Sequence, residues 1–541
     1  MVSRVVLLLA TAFSAACSRD RGTYVTPRPA DLPPPQVAPS SAPAQASPPA
    51  ADTSPPATPQ QLGRLAQLAL GALPAVRAQM SLGAWKHAFP RDTVELYRPT
   101  LAEHDQWCAR ATREVALDAY HSINSAAYFF PPARPEPAVL PSAADAPGLI
   151  DHCTLGYVLT EVAYVDSNRA PVLDDETNRI MSAALGPAAS PKLLGWWGSA
   201  SWHRNALWRS GVVNVVSAIT DASAWEPRYE AFKPARVIVI AAIRRADVDV
   251  LWDFTPGFER SPEDMAREKL ESERTAARAG EVIALASIEG GAERELRTQF
   301  ARLSDKSSRG WTLTTAEQAP FAHALGSWIA RALPLPPPRR AAALLAADRL
   351  LDELGGRAGI LGPEPEQEAF RKQLEAIGVH FAWSQLGDGF WYTRHWLKEA
   401  WATDSTGRAG EIAFIALMEL GFDTSLGCTE QHGLGFRAVI AEGQRFLARN
   451  PSSRSATDIH FMMAAAYGDI VRMAAGGGYQ EPDSTGYGAE SAAARVHAIE
   501  QYRIAFARDS TSLRARAGWT EAWRLMAGIA PTRTYFYCVY D

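Results

Sequence analysis

The chain has 541 residues, 47% of them hydrophobic, with 54 basic and 59 acidic side chains and a formal net charge of -5. That is enough apolar material for two or three domains with cores of their own. It excludes the strongly basic balance of a nucleic-acid-binding surface, and no apolar run beyond the N-terminus reaches the ~20 residues of a membrane span.

The first residues, M-V-S-R-V-V-L-L-L-A-T-A-F-S-A-A-C, place one positive charge ahead of an apolar run and a set of small residues. This is the pattern of an export signal rather than of a folded element. With its cysteine at position 17 it resembles the bacterial lipoprotein signal. The resemblance implies a signal peptide over 1–16, a lipid on Cys17 and, with Ser18 rather than Asp following, outer-membrane retention facing the periplasm. Ser14 departs from the leucine that the family favours three positions before the cysteine. An ordinary cleaved signal with a chance cysteine is the other reading. From Pro27 to about Pro59 the chain is mostly Pro, Ala and Ser. Such a stretch cannot bury a core and favours an extended polyproline-like coil. At about 3.1 Å per residue it would reach on the order of 100 Å, so 17–58 reads as a lipidated tether.

Beyond Cys17 the cysteines are Cys108, Cys153, Cys428 and Cys538. In an oxidising compartment Cys108 with Cys153, and Cys428 with Cys538, are the economical disulfides, one per domain. Sequence alone allows three connectivities, and four buried free thiols are the other reading.

Thr58-Pro59-Gln60-Gln61 looks like a helix start, with a capping Thr and Pro at the first helical position, and this helix is expected to run to about Gly71. A short helix is expected around Leu82 to Phe89. Stretches rich in Val, Ile, Tyr, Phe and Trp then read as strands: Ser125 to Phe130, Leu155 to Val165, Ser201 to Arg209, Val212 to Ile219 and Arg236 to Ile243. Ser210-Gly211 suits a tight hairpin between two of them. A helix over Asp175 to Leu185 interrupts the strands. The expectation for 59–245 is therefore an α+β domain with an antiparallel sheet, in which the order helix-then-strands occurs twice.

After Trp252 the pattern turns helical, giving a helical region over 246–360. Helices open at Ser261 and at Thr314, Leu335-Pro336-Pro337-Pro338 reads as a connector, and a helix over Ala341 to Leu354 is closed by Gly355-Gly356.

In the last block, 361–541, Val439, Gly443 and Phe446 are spaced to share one helix face. Pro451 stops that helix. Met463, Ala464 and Tyr467 then share a face of the next one. A second copy runs through Ala498, Tyr502 and Ala505 to Asp509-Ser510 and is followed by Trp519 and Trp523. A looser copy ends at Asp404-Ser405. From about Tyr392 onward this resembles the tetratricopeptide-repeat family, whose helical pairs repeat every 34 residues. Insertions at Gly476 to Glu490 and around Asp423 to Gly435 break that period. The resemblance implies a mainly α-helical, tetratricopeptide-like domain offering a concave surface to a protein or peptide. An irregular domain of ordinary amphipathic helices is the other reading.

H-E-x-x-H, a phosphate loop ending in Gly-Lys, G-x-S-x-G and paired C-x-x-C are all absent. Gly433-Leu434-Gly435-Phe436-Arg437-Ala438 fits G-x-G-x-x-A, but it follows a polar stretch rather than a strand. Cys428 and His432 have no second pair of ligands, and Asp247, Asp249 and Asp253 lack the spacing of a calcium loop. No catalytic residue, metal or cofactor is therefore expected. One cluster stands out between His380 and Trp401, read as a hairpin turning at Gly387-Asp388-Gly389 and then a helix. Its Trp391, Tyr392, Arg394, His395 and Trp396 are binding candidates, because Trp and Arg join large contact area to a polar handle. Packing between helices is the other role open to them, as it is for the Trp-rich stretch from Gly195 to Trp208. The functional expectation is an envelope-anchored lipoprotein acting as an interaction or scaffold module for an envelope protein or peptide, without nucleic acid. The alternative is an envelope protein that binds or acts on glycans, whose catalytic carboxylates sequence cannot single out.

Overall fold

The computed structural model describes residues 59–97, 107–116, 122–132, 135, 139–142, 144–164, 170–188, 202–221, 236–244, 292–307, 315–358, 365–384, 389–422, 435–476, 487–511, 513–531 and 535–536. Cys17, Cys428, Cys538, the tether and the helix expected at Ser261 lie outside these residues.

The Val- and Ile-rich stretches form a seven-stranded sheet. Its strands are β1 (Thr93–Leu96), β2 (Ala109–Ala116), β3 (Ser122–Phe130), β4 (Thr154–Tyr164), β5 (Trp202–Ser210), β6 (Val213–Asp221) and β7 (Arg236–Arg244). They lie in the order β1-β2-β3-β4-β7-β6-β5, and the pairings from β2 through to β5 are antiparallel. Three helices accompany the sheet: α1 (Pro59–Arg77), α2 (Leu82–Ala88) and α3 (Ala170–Leu185). Helix α1 packs on the central strands β4 and β7, and α3 packs on β5, β6 and β7. Each of these two helices is thus followed by antiparallel strands, and the two sets join where β4 pairs with β7.

The face toward α3 is marked by Trp208, whose indole donates to Ser182 Oγ at 3.2 Å. Val215 and Ala242 continue this face across the register. In β6 every residue from Val213 to Ile219 is buried, so both faces of this strand are covered. That is why its apolar residues, Val213, Val215 and Ile219 on one face and Val216 and Ala218 on the other, do not alternate with exposed polar ones. The hairpin expected at Ser210-Gly211 is present: Ser210 pairs with Val213, and Gly211 has φ +63, a backbone angle that a two-residue loop demands of its first residue.

Two elements differ from expectation. Strand β2, A-R-A-T-R-E-V-A, carries little β-forming sequence; its ladder with β3 and its buried Ala109 and Ala111 make it a strand. Helix α1 does not stop at Gly71 but continues through Pro74 to Arg77, because Leu65, Ala66, Ala69, Leu73 and Val76 keep one buried stripe going. Cys108 and Cys153, which directly precede β2 and β4, are fully buried and form a disulfide, as the first economical pair requires.

By its internal contacts the chain forms two compact units. The first comprises the described residues of 59–95, 109–130 and 153–244, and the second those of 96–108, 131–152 and 292–536. The second unit is mainly helical. It contains α4 (Ala292–Ser307), α5 (Thr315–Ala332), α6 (Pro337–Ala358) and α7 (Pro365–Glu375). A small hairpin follows, β8 (Phe381–Ser384) and β9 (Gly389–Tyr392). Then come α8 (His395–Thr403), α9 (Arg408–Glu419), α10 (Gly435–Arg449), α11 (Ala456–Ala474), α12 (Gly488–Arg508) and α13 (Leu513–Met526). Helix α6 corrects two expectations: it begins at Pro337 inside the supposed connector, and it passes through Gly355-Gly356. Prolines in a first turn have no intrahelical bond to lose, and the buried run Ala341 to Leu345 fixes the helix on its neighbours. One core gathers Phe321, Trp328, Leu344, Phe370 and Leu397, and a second gathers Phe414, Phe436, Val439, Met463 and Tyr502.

Candidate functional site

The hairpin expected before α8 is present, with Phe381 opposite Tyr392 and Ser384 opposite Gly389. It is closed by Thr393, whose amide and hydroxyl both donate to His380 O, at 3.0 and 3.1 Å. Arg394 then takes φ +52, a left-handed conformation rare for a side chain of this size, and caps α8. The turn sends its guanidinium inward. Arg394 Nη2 donates to Asp348 Oδ2 at 2.7 Å, Nε reaches both Asp348 oxygens at 3.1 and 3.2 Å, and Nη1 pairs with Asp352 at 2.7 Å. Asp348 is fully buried and Arg394 nearly so. Burial acts to lower the guanidinium pKa, but the two carboxylates more than offset it and hold the group above its ordinary value. Tyr392 is buried beside the same carboxylate, and burial, then the Asp348 charge, push its phenol well above the usual range.

His395 stacks on His380 with ring centroids 4.1 Å apart and meets Tyr392 and Trp396 edge-on or tilted at 5.7 and 5.1 Å. Burial, then the neighbouring His380, push its pKa down to about 4. The five candidates therefore divide. Tyr392, Arg394 and Trp396 are buried among the core residues of α6 and α8, whereas Trp391 and His395 are half-buried. The exposed aromatic of this element is Trp383, 46% exposed, edge-on to Phe390 at 5.1 Å. Arg371 covers that Phe390 ring at 4.0 Å. In the other Trp-rich stretch Trp208 is buried, and Trp196 and Trp197 lie outside the described residues.

Sequence reasoning missed Asp348 and Asp352. Their signal was present: two acids four apart share one helix face in A-L-L-A-A-D-R-L-L-D of α6, and Asp348 falls among the apolar residues that the core takes up, where an acid needs a cation.

The C-terminal helices pack in chain order, α10 on α11, α11 on α12 and α12 on α13. Phe436, Val439, Gly443 and Phe446 form the buried face of α10, and Ala494, Ala498, Tyr502 and Ala505 that of α12. Gly443 is required there: a Cβ would lie 2.8 Å from both Cγ and Sδ of Met463. Trp519 and Trp523 are buried on α13.

Between α10 and α11 the chain turns at Pro451. Glu411 of α9 holds the turn, accepting from Ser453 Oγ at 2.9 Å, from the Ser455 amide at 2.8 Å and from Arg408 Nη1 at 3.2 Å. Beside this turn opens a cleft of about 440 Å³, walled by Arg408, Arg449 and Arg454 together with Ser405, Thr406 and Ser452. Among the described residues Arg454 has no ion-pair or hydrogen-bond partner, and Arg449 has one contact, from Nε to Arg445 O at 3.3 Å.

Among the described residues no group of three or more His, Cys, Asp or Glu side chains could hold a metal ion, and no helix is long and apolar enough to cross a membrane. Compared with family models, with curated proteins and with solved structures, the chain matches none.

Proposed function

We propose that this protein is exported, anchored to the cell envelope by a lipid on Cys17, and that its helical unit holds a protein or peptide partner. The observation that carries the reading is the run α10 to α13, in which consecutive helices pack on one another through buried faces that mix small residues with aromatics. Helices stacked this way build extended surfaces suited to polypeptide partners. The exposed Trp383 on the preceding hairpin adds an anchor of the residue type that dominates binding hot spots. The signal-like N-terminus and the Pro-rich stretch support the anchoring half of the proposal.

In-cell photo-crosslinking from Trp383 and from the outer faces of α10 and α12 tests it. A defined envelope protein, crosslinked from these positions and not from α1, is the expected result. Recovery of cell-wall glycan alone would replace this reading with the glycan-directed one, which Trp383 also supports because an indole face stacks on sugar rings. Incorporation of a labelled lipid, lost in Cys17→Ser, tests the anchor.

A further inference from the structure

We propose that the cleft between the α8–α9 and α10–α11 turns binds the dianion of a phosphomonoester. The proposal stands apart from the scaffold reading and rests on the charge and chemistry of the cleft. Three arginines, Arg408, Arg449 and Arg454, are among its lining residues, and the carboxylate among them is Glu411. Glu411 is already committed to Arg408, Ser453 and Ser455, so it neutralises Arg408 and fixes the turn. Arg449 and Arg454 are left with two positive charges and no carboxylate partner among the described residues.

A phosphomonoester carries about -1.5 to -2 charges near neutral pH and three acceptor oxygens, so it matches that excess, whereas a single carboxylate would leave half of it unbalanced. Guanidinium forks suit its oxygens, and the hydroxyls of Ser405, Thr406 and Ser452 supply further donors from both turns. The volume of about 440 Å³ lies within the roughly 300–1,000 Å³ range of ligand sites, so there is room for the organic part of the ester as well as its phosphate. The turn that carries Pro451 and Ser452 is already fixed by Glu411, which lowers the ordering cost of binding.

The test titrates the full chain with inorganic phosphate and with glycerol 3-phosphate by calorimetry. Saturable binding is expected, weakening with salt, and at least about tenfold weaker in the Arg449→Ala/Arg454→Ala double variant. Both arginines are exposed, so the melting temperature of that variant should stay at the parent value. The ester has two possible sources, a soluble metabolite or a lipid headgroup. A Cys17→Ser full chain is therefore also offered phosphatidic acid vesicles, with phosphatidylcholine vesicles as the blank. Arginine-dependent binding tighter to the vesicles than to glycerol 3-phosphate assigns the headgroup, and the reverse order assigns the soluble ester. Three outcomes would overturn the proposal: no saturable binding to any of these probes, binding unchanged in the double variant, or acetate competing as well as phosphate.

Discussion

Arg394 and Asp348 meet inside the helical unit, 46 positions apart in the chain, with Nη2 2.7 Å from Oδ2 and Nε shared between both carboxylate oxygens. The pair ties the start of α8, and with it the β8–β9 hairpin, to the middle of α6. Its strength is conditional. Two charges removed from water repay their desolvation only while both are present. Asp348→Ala should therefore destabilise the unit by about 3 kcal/mol, the lower end for a broken buried pair, because it leaves the buried guanidinium with only the exposed Asp352 carboxylate. Asp348→Leu combined with Arg394→Met should recover much of that loss. Urea unfolding followed by tryptophan fluorescence reads both, and a single variant unfolding at the parent midpoint would remove the pair from its structural role.

Gly443 and Met463 make a second coupled pair. Gly443→Ala gains about 1 kcal/mol of helix propensity but forces a Cβ to 2.8 Å from Met463 Cγ and Sδ, an overpacking worth about 1–3 kcal/mol. The net change should lower the melting temperature. In a Met463→Ala background the Met463 clash is gone, the flexible end of Met418, 3.1 Å from the added Cβ, can give way, and the propensity remains, so the same substitution should raise it. A change of equal sign in both backgrounds would contradict the close approach of α10 and α11.

His395 makes stability depend on pH. Its pKa in the folded chain is pushed down to about 4 from an ordinary value near 6.5, first by burial and then by His380. The unfolded chain takes up this proton near pH 6.5 while the folded chain does not. The contribution is thus fully present above pH 6.5 and is lost as pH falls from 6.5 through about 4. Replacing His395 by Phe should flatten that part of the profile of melting temperature against pH. An unchanged slope would mean that the two rings are hydrated in solution.

The disulfide of Cys108 and Cys153 closes a long loop, so its removal enlarges the unfolded ensemble. Cys108→Ser/Cys153→Ser should cost about 3–4 kcal/mol on the chain-entropy estimate. Thermal unfolding with and without reductant should show the parent responding to reduction more than the double variant.

The elements that could be read in advance were those whose own residues state their environment. Strands β4, β6 and β7 are dense in β-branched residues because both their faces or their core face are buried, and Gly211 announces a left-handed turn. Val439, Gly443 and Phe446 fall on one buried helix face by spacing alone, whereas Met463, Ala464 and Tyr467 do not mark a face, because α11 is buried on nearly every side and Tyr467 is only half-buried. Strand β2 was not legible, because an Ala- and Arg-rich segment becomes a strand only when a neighbour supplies the ladder. The aromatic cluster was legible as a cluster but not as core or surface. A Trp has the same chemistry in both places, and which face of α8 turns inward is decided by Arg394 at φ +52 and by a carboxylate on another helix.

The sequence by itself determined the class of the fold, an α+β part with an antiparallel sheet and then a mainly helical part, because hydrophobic period and turn residues are local properties. Tertiary structure alone decided what the polar residues do. It buried Asp348 against Arg394, and it buried Arg524, whose Nε and Nη2 donate to Ala530 O at 3.2 and 3.1 Å and whose Nη1 donates to Trp107 O at 3.1 Å. Among the described residues it left Arg449 and Arg454 without a paired carboxylate at one cleft. A charged side chain means opposite things paired in a core and unpaired at a surface. The difference lies in distances between residues far apart in the chain, which no local pattern encodes.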